Sequence, residues 1–174
     1  MAAPAARGPL SFGAVNAPGA PGYRAGMQRH QLLPRQLLTR SWFSRLVDSL
    51  GRERLGIDDF RSNGLLLPAV EQAAQVLGLP LHRGPHTHYN QVVLERVGQI
   101  EAGWQTGHLR NPDLAQRELV MRLHLLQQAL RRSLLQPRAT FARLNLRDPR
   151  WQTLDFSDLD AMAEALWAAS DPKP

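Results

Sequence analysis

Hydrophobic residues recur at helical spacing in two stretches of the chain. In residues 34–50 one stripe holds Leu38, Trp42, Leu46 and Leu50, and in residues 89–104 another holds Val93, Val97, Ile100 and Trp104. Such spacing puts apolar side chains on one face of an α-helix. We therefore predict a helix over each stretch, the first with Pro34 in its opening turn.

Capping residues delimit three further helices. Residues 69–78 are predicted to form a short helix that Gly78 ends. Asn111 is a suitable N-cap for a long helix that continues to residue 135. A last helix is predicted over residues 157–170, where two aspartates fall in the first turn.

The pattern predicts only one short strand. Asn63 and Gly64 form a turn signal, and the three leucines that follow make a brief buried run that Pro68 ends. The hydrophobic pattern as a whole therefore predicts a mainly α fold with little strand.

Residues 1–26 differ from the rest of the chain in composition. They are built largely from Ala, Gly and Pro and show neither helical nor strand periodicity. We expect them to form a disordered leader, and they lack the apolar segment of a secretory signal. No run in the chain approaches the roughly 20 apolar residues of a membrane helix, so no membrane partner is expected.

The chain is strongly basic because of its arginines. Its formal net charge is +6, and Lys173 is its only lysine. The planar guanidinium suits phosphate groups, so the charge suggests nucleic acid, DNA or RNA, as the partner. A codon usage that favours arginine would give the same composition whatever the function. Cysteine is absent, so any metal ion must be held by imidazole, carboxylate or amide oxygen.

Three of the six histidines, His82, His86 and His88, lie within seven residues. A step of four puts two imidazoles on one face of a helix, as in helical zinc sites. A glycine and a proline interrupt any helix here, so we predict a tight turn that leads into the helix beginning near Tyr89. Taken alone, this spacing is a weak motif and favours a surface loop over a metal site.

Two elements upstream change this interpretation. His30 precedes a hydrophobic pair and Pro34, and Asn63 begins an Asn-Gly-hydrophobic-Pro element that ends at Pro68. The third element reads H-x-G-x-H-x-x-Y and leads into a helix; its residues are His82, Gly84, His86 and Tyr89. In this order the three elements resemble the AHH family, a branch of the HNH nuclease superfamily with a ββα-metal finger.

The resemblance implies a fold that is mainly α with a short β-hairpin, in which a ββα-metal (HNH-like) finger is embedded in helices. It places the nuclease core at residues 27–104. Residues 105–174 are then expected to form a helical C-terminal extension that packs on the core.

The resemblance also implies a divalent metal ion, Mg²⁺ or Zn²⁺, with His82, His86 and His30 as its ligands. Ligation by histidine alone favours Zn²⁺ or another transition ion. A site made of one histidine and Asn63 suits Mg²⁺ better.

The first element departs from the family pattern. Aligned on Pro34, the family's histidine pair falls on His30 and Gln31. In related nucleases the first position ligates the metal and the second is the general base that activates water. Glutamine cannot accept a proton near neutral pH. The base is then His30 itself or His88, or catalysis has been lost and the protein only binds nucleic acid.

The chemistry of their side chains suggests roles for the remaining site residues. Asn63 either braces the catalytic loop through its amide or ligates the metal through its oxygen. Arg83 is adjacent to a predicted ligand and either binds a phosphate by paired hydrogen bonds or is a solvated charge. Arg29 and Arg35 would widen the phosphate contact, although arginine runs are usually exposed helix faces.

We therefore expect a metal-dependent endonuclease acting on DNA or RNA. The alternatives are a catalytically impaired nucleic-acid-binding protein on the same scaffold and a helical protein–protein adaptor. Family members often form the tips of bacterial toxins, so the resemblance implies a possible toxin role with an immunity protein as partner. A bacterial cytoplasmic protein is the other expectation, and the sequence indicates no oligomeric state.

Overall fold

The computed structural model describes residues 8–136 and residue 161. These residues form five α-helices and one two-stranded antiparallel sheet, which confirms the predicted fold class. In chain order the elements are β1 (Met27–Gln31), α1 (Ser41–Leu50), α2 (Phe60–Asn63), β2 (Gly64–Pro68), α3 (Glu71–Leu77), α4 (Thr87–His108) and α5 (Pro112–Leu135). The helix predicted over residues 157–170 lies outside the described residues, apart from residue 161. Among the described helices, none combines the length and the apolar character needed to cross a membrane.

The antiparallel pairing of β1 with β2 determines which side chains face the protein interior. His30 lies opposite Leu65 in the register and is buried, 3% exposed. Because side chains alternate along a strand, Gln28 shares this face of β1 with His30. The hydrophobic pattern predicted only β2, since β1 is polar apart from Met27 and buries a single side chain.

The helix predicted over residues 34–50 is shorter than expected. Arg35–Thr39 forms a 3-10 helix, and α1 begins only after Arg40. Arg40 has an extended backbone, with φ −82° and ψ 120°, which interrupts the helical path. Pro34 therefore precedes a 3-10 helix and does not open an α-helix. The interruption lets both segments bury their apolar side chains, Leu37 from the first and Phe43, Leu46, Val47 and Leu50 from the second.

The helix caps agree with the sequence prediction. Gly78, directly after α3, has a left-handed backbone with φ 64°. The Asn111 side chain accepts a hydrogen bond from the Leu114 N–H at 3.1 Å, as an N-cap should. α4 is longer than the predicted helix over residues 89–104, because it begins two residues earlier and continues to His108.

One hydrophobic core joins the hairpin region, α1, α4 and α5. α4 and α5 pack against each other, and both contribute to the same buried cluster as Leu32 and Leu67. The apolar face of α5 supplies Leu119, Leu123, Leu126, Leu130 and Leu134. The structure therefore gives one continuous core to the segments assigned to core and extension, as far as residue 136.

Residues 8–26 follow a defined path, so the expectation of a disordered leader does not hold for them. The Leu10 N–H donates to Asp59 Oδ1 at 2.8 Å, and the Leu10 carbonyl accepts from the Phe60 N–H at 2.7 Å. Further along, Asn16 closes a loop by donating to two backbone carbonyls. Isolated polar side chains hold this irregular segment in place by hydrogen bonds. Isolated residues form no periodic pattern, so the sequence did not indicate this order.

Asn63 joins the two strands at their inner ends and is completely buried, 0% exposed. Its Oδ1 accepts from the Leu33 N–H at 2.7 Å, and its Nδ2 donates to the carbonyls of Leu33 and Ile57 at 3.3 and 3.0 Å. The next residue, Gly64, must be glycine because a Cβ there would lie 2.1 Å from the Phe60 ring. The Asn-Gly pair is therefore a buried joint between α2 and β2.

Replacing Asn63 with alanine should destabilise the fold severely. Asn63→Ala leaves one N–H and two carbonyls buried without a partner, and each such group costs about 1–3 kcal/mol. We expect the free energy of unfolding, measured by urea denaturation, to fall by at least about 3 kcal/mol. The control Asn90→Ala removes only a 3.5 Å contact with Gln36 and should cost less than about 0.5 kcal/mol. Equal losses in the two variants would contradict the role assigned to Asn63.

Candidate metal centre

Three imidazoles from separate parts of the chain converge at one point. His30 comes from β1, His82 from the segment between α3 and α4, and His86 from the N-cap position of α4. One ring nitrogen of each lies within 4.8 Å of those of the other two. The ring centroids of His82 and His86 are 4.4 Å apart, and that of His30 is 5.0 and 5.6 Å from them. The structure thus brings together the three histidines that the sequence suggested as ligands.

The local fold holds these rings in place. The Tyr89 ring packs edge-to-face against His30, with the centroids 4.9 Å apart, and the Tyr89 hydroxyl donates to the Leu32 carbonyl at 2.8 Å. The His82 N–H donates to the Pro68 carbonyl at 2.7 Å, which ties the histidine turn to the end of β2. The glycine inside that turn has φ 79°, which allows the tight change of direction predicted for it.

Burial keeps His30 and His82 neutral at physiological pH. Removal from solvent lowers the pKa of His30 well below its ordinary value, and the nearby His82 and His86 lower it further. Burial, followed by the proximity of His86, lowers the pKa of His82 to about 4. A neutral imidazole carries a lone pair on one nitrogen, so both rings can act as metal ligands at pH 7.

The donor set fits a divalent transition metal. Zn²⁺ binds imidazole nitrogen at about 2.0–2.1 Å, which places tetrahedral ligands about 3.4 Å apart. Nitrogens that already lie within 4.8 Å of one another reach this spacing by small movements of the rings. His30 Nε2 is buried and has no hydrogen-bond partner among the described residues. A bound cation would satisfy this atom.

Gln28 fixes the orientation of the His82 ring. Its Oε1 lies 3.1 Å from His82 Nδ1. Because an amide oxygen can only accept, the ring Nδ1 carries the proton and donates, which leaves the lone pair of His82 on Nε2. Metal-ligating histidines commonly donate their second ring N–H to such an acceptor. Gln28 was not predicted from the sequence, because its role depends on the strand face that it shares with His30.

The histidines lie in a cleft of about 690 Å³. Arg29 and Arg35, the two arginines expected to widen a phosphate contact, line the same cleft. Arg29 Nη1 donates to the Phe12 carbonyl at 2.7 Å, which anchors the guanidinium in the cleft wall. The other lining residues are Ser11, Phe12, Gly13, Gln31, Pro34, Asp58 and Asn90.

Three of the predicted site residues lie elsewhere. Asn63 is completely buried with its carboxamide bound to the backbone of Leu33, so it braces the hairpin and is not placed to be a ligand or a catalytic group. Within the described part of the chain, His88 belongs neither to the histidine cluster nor to the cleft lining, so it is not placed as the general base. Arg83 is exposed, 3.8 Å from Glu71, and does not line the cleft.

Other residues of the cleft were missing from the sequence prediction. Asp58 follows α1 in a stretch interpreted only as a turn, and its carboxylate pairs with Arg52 through contacts of 2.5 and 2.8 Å. Residues 11–13 were missed because the leader was expected to be disordered. Asn90 carries no sequence signal of its own. These residues reach the cleft through tertiary contacts, which no local pattern encodes.

Removing the Gln28 side chain should weaken metal binding without unfolding the protein. Loss of an outer hydrogen-bond partner typically costs 10–100-fold in metal affinity, so we expect Gln28→Ala to raise the Kd for Zn²⁺ or Co²⁺ by roughly that factor. Competition with a chromophoric chelator measures it. Gln99→Ala, which removes an exposed glutamine of α4, should bind metal like the parent. An unchanged Kd in Gln28→Ala would contradict the assigned hydrogen bond.

The stability of the metal-free protein should fall as the pH is lowered from about 6.5 towards 4. The folded-state pKa values of His30 and His82 lie below the ordinary value, so the unfolded chain binds more protons in this range. The two neutral imidazoles therefore make their full contribution to the free energy of unfolding above pH 6.5. This contribution is lost as the pH falls. Urea denaturation in EDTA from pH 7.5 to 4 measures this, and His82→Asn should reduce the slope. If His82→Asn leaves the slope of the free energy of unfolding against pH unaltered, the lowered pKa assigned to His82 is contradicted.

Comparison with known proteins identifies the family. A model of the AHH family, described as a nuclease family of the HNH/ENDO VII superfamily with conserved AHH, matches residues 12–130. Comparison with curated proteins and with solved structures gives no significant match. The chain contains no consecutive histidines, so Gln31 remains a departure from the family pattern. The match extends beyond the predicted core of residues 27–104 and covers more than half of the chain, which therefore belongs to the AHH family of nucleases.

Proposed function

We propose that this protein is a metal-dependent endonuclease that hydrolyses phosphodiester bonds of DNA or RNA. The observation that carries the proposal is the convergence of His30, His82 and His86 in a cleft that two arginines also line. Membership of a nuclease family supports nucleic acid as the substrate. The side chains of the cleft support hydrolysis assisted by a bound cation.

His30, His82 and His86 would hold one divalent ion, and three imidazoles favour Zn²⁺ or a similar transition ion over Mg²⁺, which prefers oxygen ligands. What the ion supplies when bound is Lewis-acid stabilisation of the charge that develops on the phosphate oxygens. Burial keeps two of these side chains neutral, because it lowers the pKa of His30 and of His82. Gln28 orients the His82 ring through its hydrogen bond.

Arg29 and Arg35 would bind the phosphates of the substrate. Both line the cleft, and a guanidinium offers paired hydrogen bonds to phosphate oxygens. The Phe12 carbonyl fixes the Arg29 guanidinium, so little side-chain freedom remains to be lost on binding. Contacts to phosphate carry no sequence information. We therefore expect cleavage with little base preference.

Cleavage should require both the divalent ion and the histidine cluster. The protein should cut supercoiled plasmid or single-stranded RNA in Zn²⁺, Mn²⁺ or Mg²⁺, and neither substrate in EDTA. His86→Ala should lose both cleavage and bound metal. Its Kd for the metal should rise by more than the roughly 10–100-fold that loss of a hydrogen-bond partner of a ligand costs. His108→Ala, at the exposed end of α4, should cleave like the parent. Gel assays and metal analysis of the purified variants give the two measurements.

Three outcomes would contradict this function. Cleavage that persists in EDTA, or a His86→Ala variant as active as the parent, would exclude a mechanism that depends on the cluster. Salt-sensitive binding without cleavage in any metal would show a nucleic-acid-binding protein whose catalysis has been lost.

A further inference from the structure

Hydrolysis of a phosphodiester by water needs a group that accepts the proton of the attacking water. The family places a histidine for this purpose where this chain has Gln31, whose amide is not a base near neutral pH. Gln31 nevertheless lines the cleft. The question is therefore which other side chain of the cleft can take the proton.

The three imidazoles of the cleft cannot serve both as ligands and as the base. A neutral imidazole has one nitrogen lone pair, and the other nitrogen already carries a proton. A lone pair given to a cation is not free to accept a proton. His30 is in addition only 3% exposed, which separates its ring from bulk water. All three histidines are therefore excluded as the base if they hold the metal.

Asp58 is the one further side chain that lines the described cleft and can accept a proton at neutral pH. It also lines a small second cavity together with Gln31, the position that the family gives to the base. Its side chain is 59% exposed, so water can reach it. Asp58 is therefore a proton acceptor that water can reach and that lines the same cleft as the three imidazoles.

The charged groups that face Asp58 keep it ionised. Arg52 donates Nε to one carboxylate oxygen at 2.5 Å and Nη2 to the other at 2.8 Å. These hydrogen bonds, with a further contribution from the charge of Arg35, lower the pKa of Asp58. Each carboxylate oxygen has two lone-pair sites, so Arg52 leaves one on each oxygen for a water molecule.

We propose that Asp58 is the general base of the reaction, in place of the missing histidine; this rests on the proposed nuclease function. As the water oxygen forms its bond to phosphorus, one water proton passes to a carboxylate oxygen of Asp58. The bond between phosphorus and the leaving sugar oxygen breaks, and that oxygen takes a proton from solvent. Asp58 then returns its proton to solvent, so the enzyme is unchanged after each turnover.

The test compares five proteins in each divalent metal. They are the parent, Asp58→Asn, Gln31→His, the double variant Asp58→Asn with Gln31→His, and the control Asp48→Asn. Asp48 is an exposed carboxylate of α1 that does not line the cleft. It acts on Arg52 only through its charge. The control therefore separates loss of a base from loss of a negative charge near Arg52. Circular dichroism and metal content establish that each variant is folded and loaded.

We expect Asp58→Asn to lower kcat by roughly 10²–10⁴-fold, because that is the usual contribution of a general base. KM and metal content should be unchanged. Asp48→Asn should keep the parent rate. The double variant, which adds Gln31→His to Asp58→Asn, should recover much of the lost rate.

Different failures have different meanings. If the parent cleaves and Asp58→Asn cleaves as fast, the role of Asp58 is overturned and the nuclease function stands. If the parent is inert in every metal but Gln31→His alone cleaves, both proposals are overturned, because this chain then lacks a base and Asp58 does not replace it. If neither cleaves in any metal, both proposals are overturned.

Discussion

The carboxamide of Asn63 bonds to both backbone groups of Leu33, and so fixes the point where the chain leaves β1 against the point where it enters β2. The strand register that follows places His30 on the buried face of β1. It also places the Pro68 carbonyl where it binds the His82 N–H. A register shift of one residue would turn His30 to the opposite face of the sheet. The convergence of the imidazoles therefore depends on this buried joint, although Asn63 itself touches none of them.

A cation in this cleft would sit among positive charges. The imidazoles bring no negative charge when neutral, and Arg29 and Arg35 line the same cleft. Asp58, the one carboxylate in the described lining, already has both oxygens bound to Arg52. The charge that balances a bound divalent ion must then come largely from the phosphates of the substrate. Binding of the divalent ion and binding of the substrate are therefore coupled. The coupling is reciprocal, because each favours the binding of the other.

Features set by neighbouring residues were predictable from the sequence, and features set by distant contacts were not. Gly78 and Asn111 mark helix ends through their own backbone and side-chain bonds, so the sequence places them correctly. β1 is a strand because of its pairing with β2, and residues 8–26 are held by bonds such as that of Asp59. In the site, the order of three sequence elements that resembles a family pattern indicated the three histidines that converge. Gln28 was missed because only tertiary structure brings it to His82.

The ligands and the proposed base come from different parts of the fold, and this explains how a glutamine at position 31 is compatible with a functional site. The ligands depend on the hairpin and on the turn before α4, whereas Asp58 belongs to the segment between α1 and α2. Gln31 lines the same cleft as His30 but does not belong to the cluster of His30, His82 and His86. A change at position 31 therefore leaves the ligand geometry intact and alters only the proton acceptor. A cleft with a carboxylate in its wall can lose the histidine base and keep the three imidazoles that would hold a metal, since the two proposed functions share no side chain.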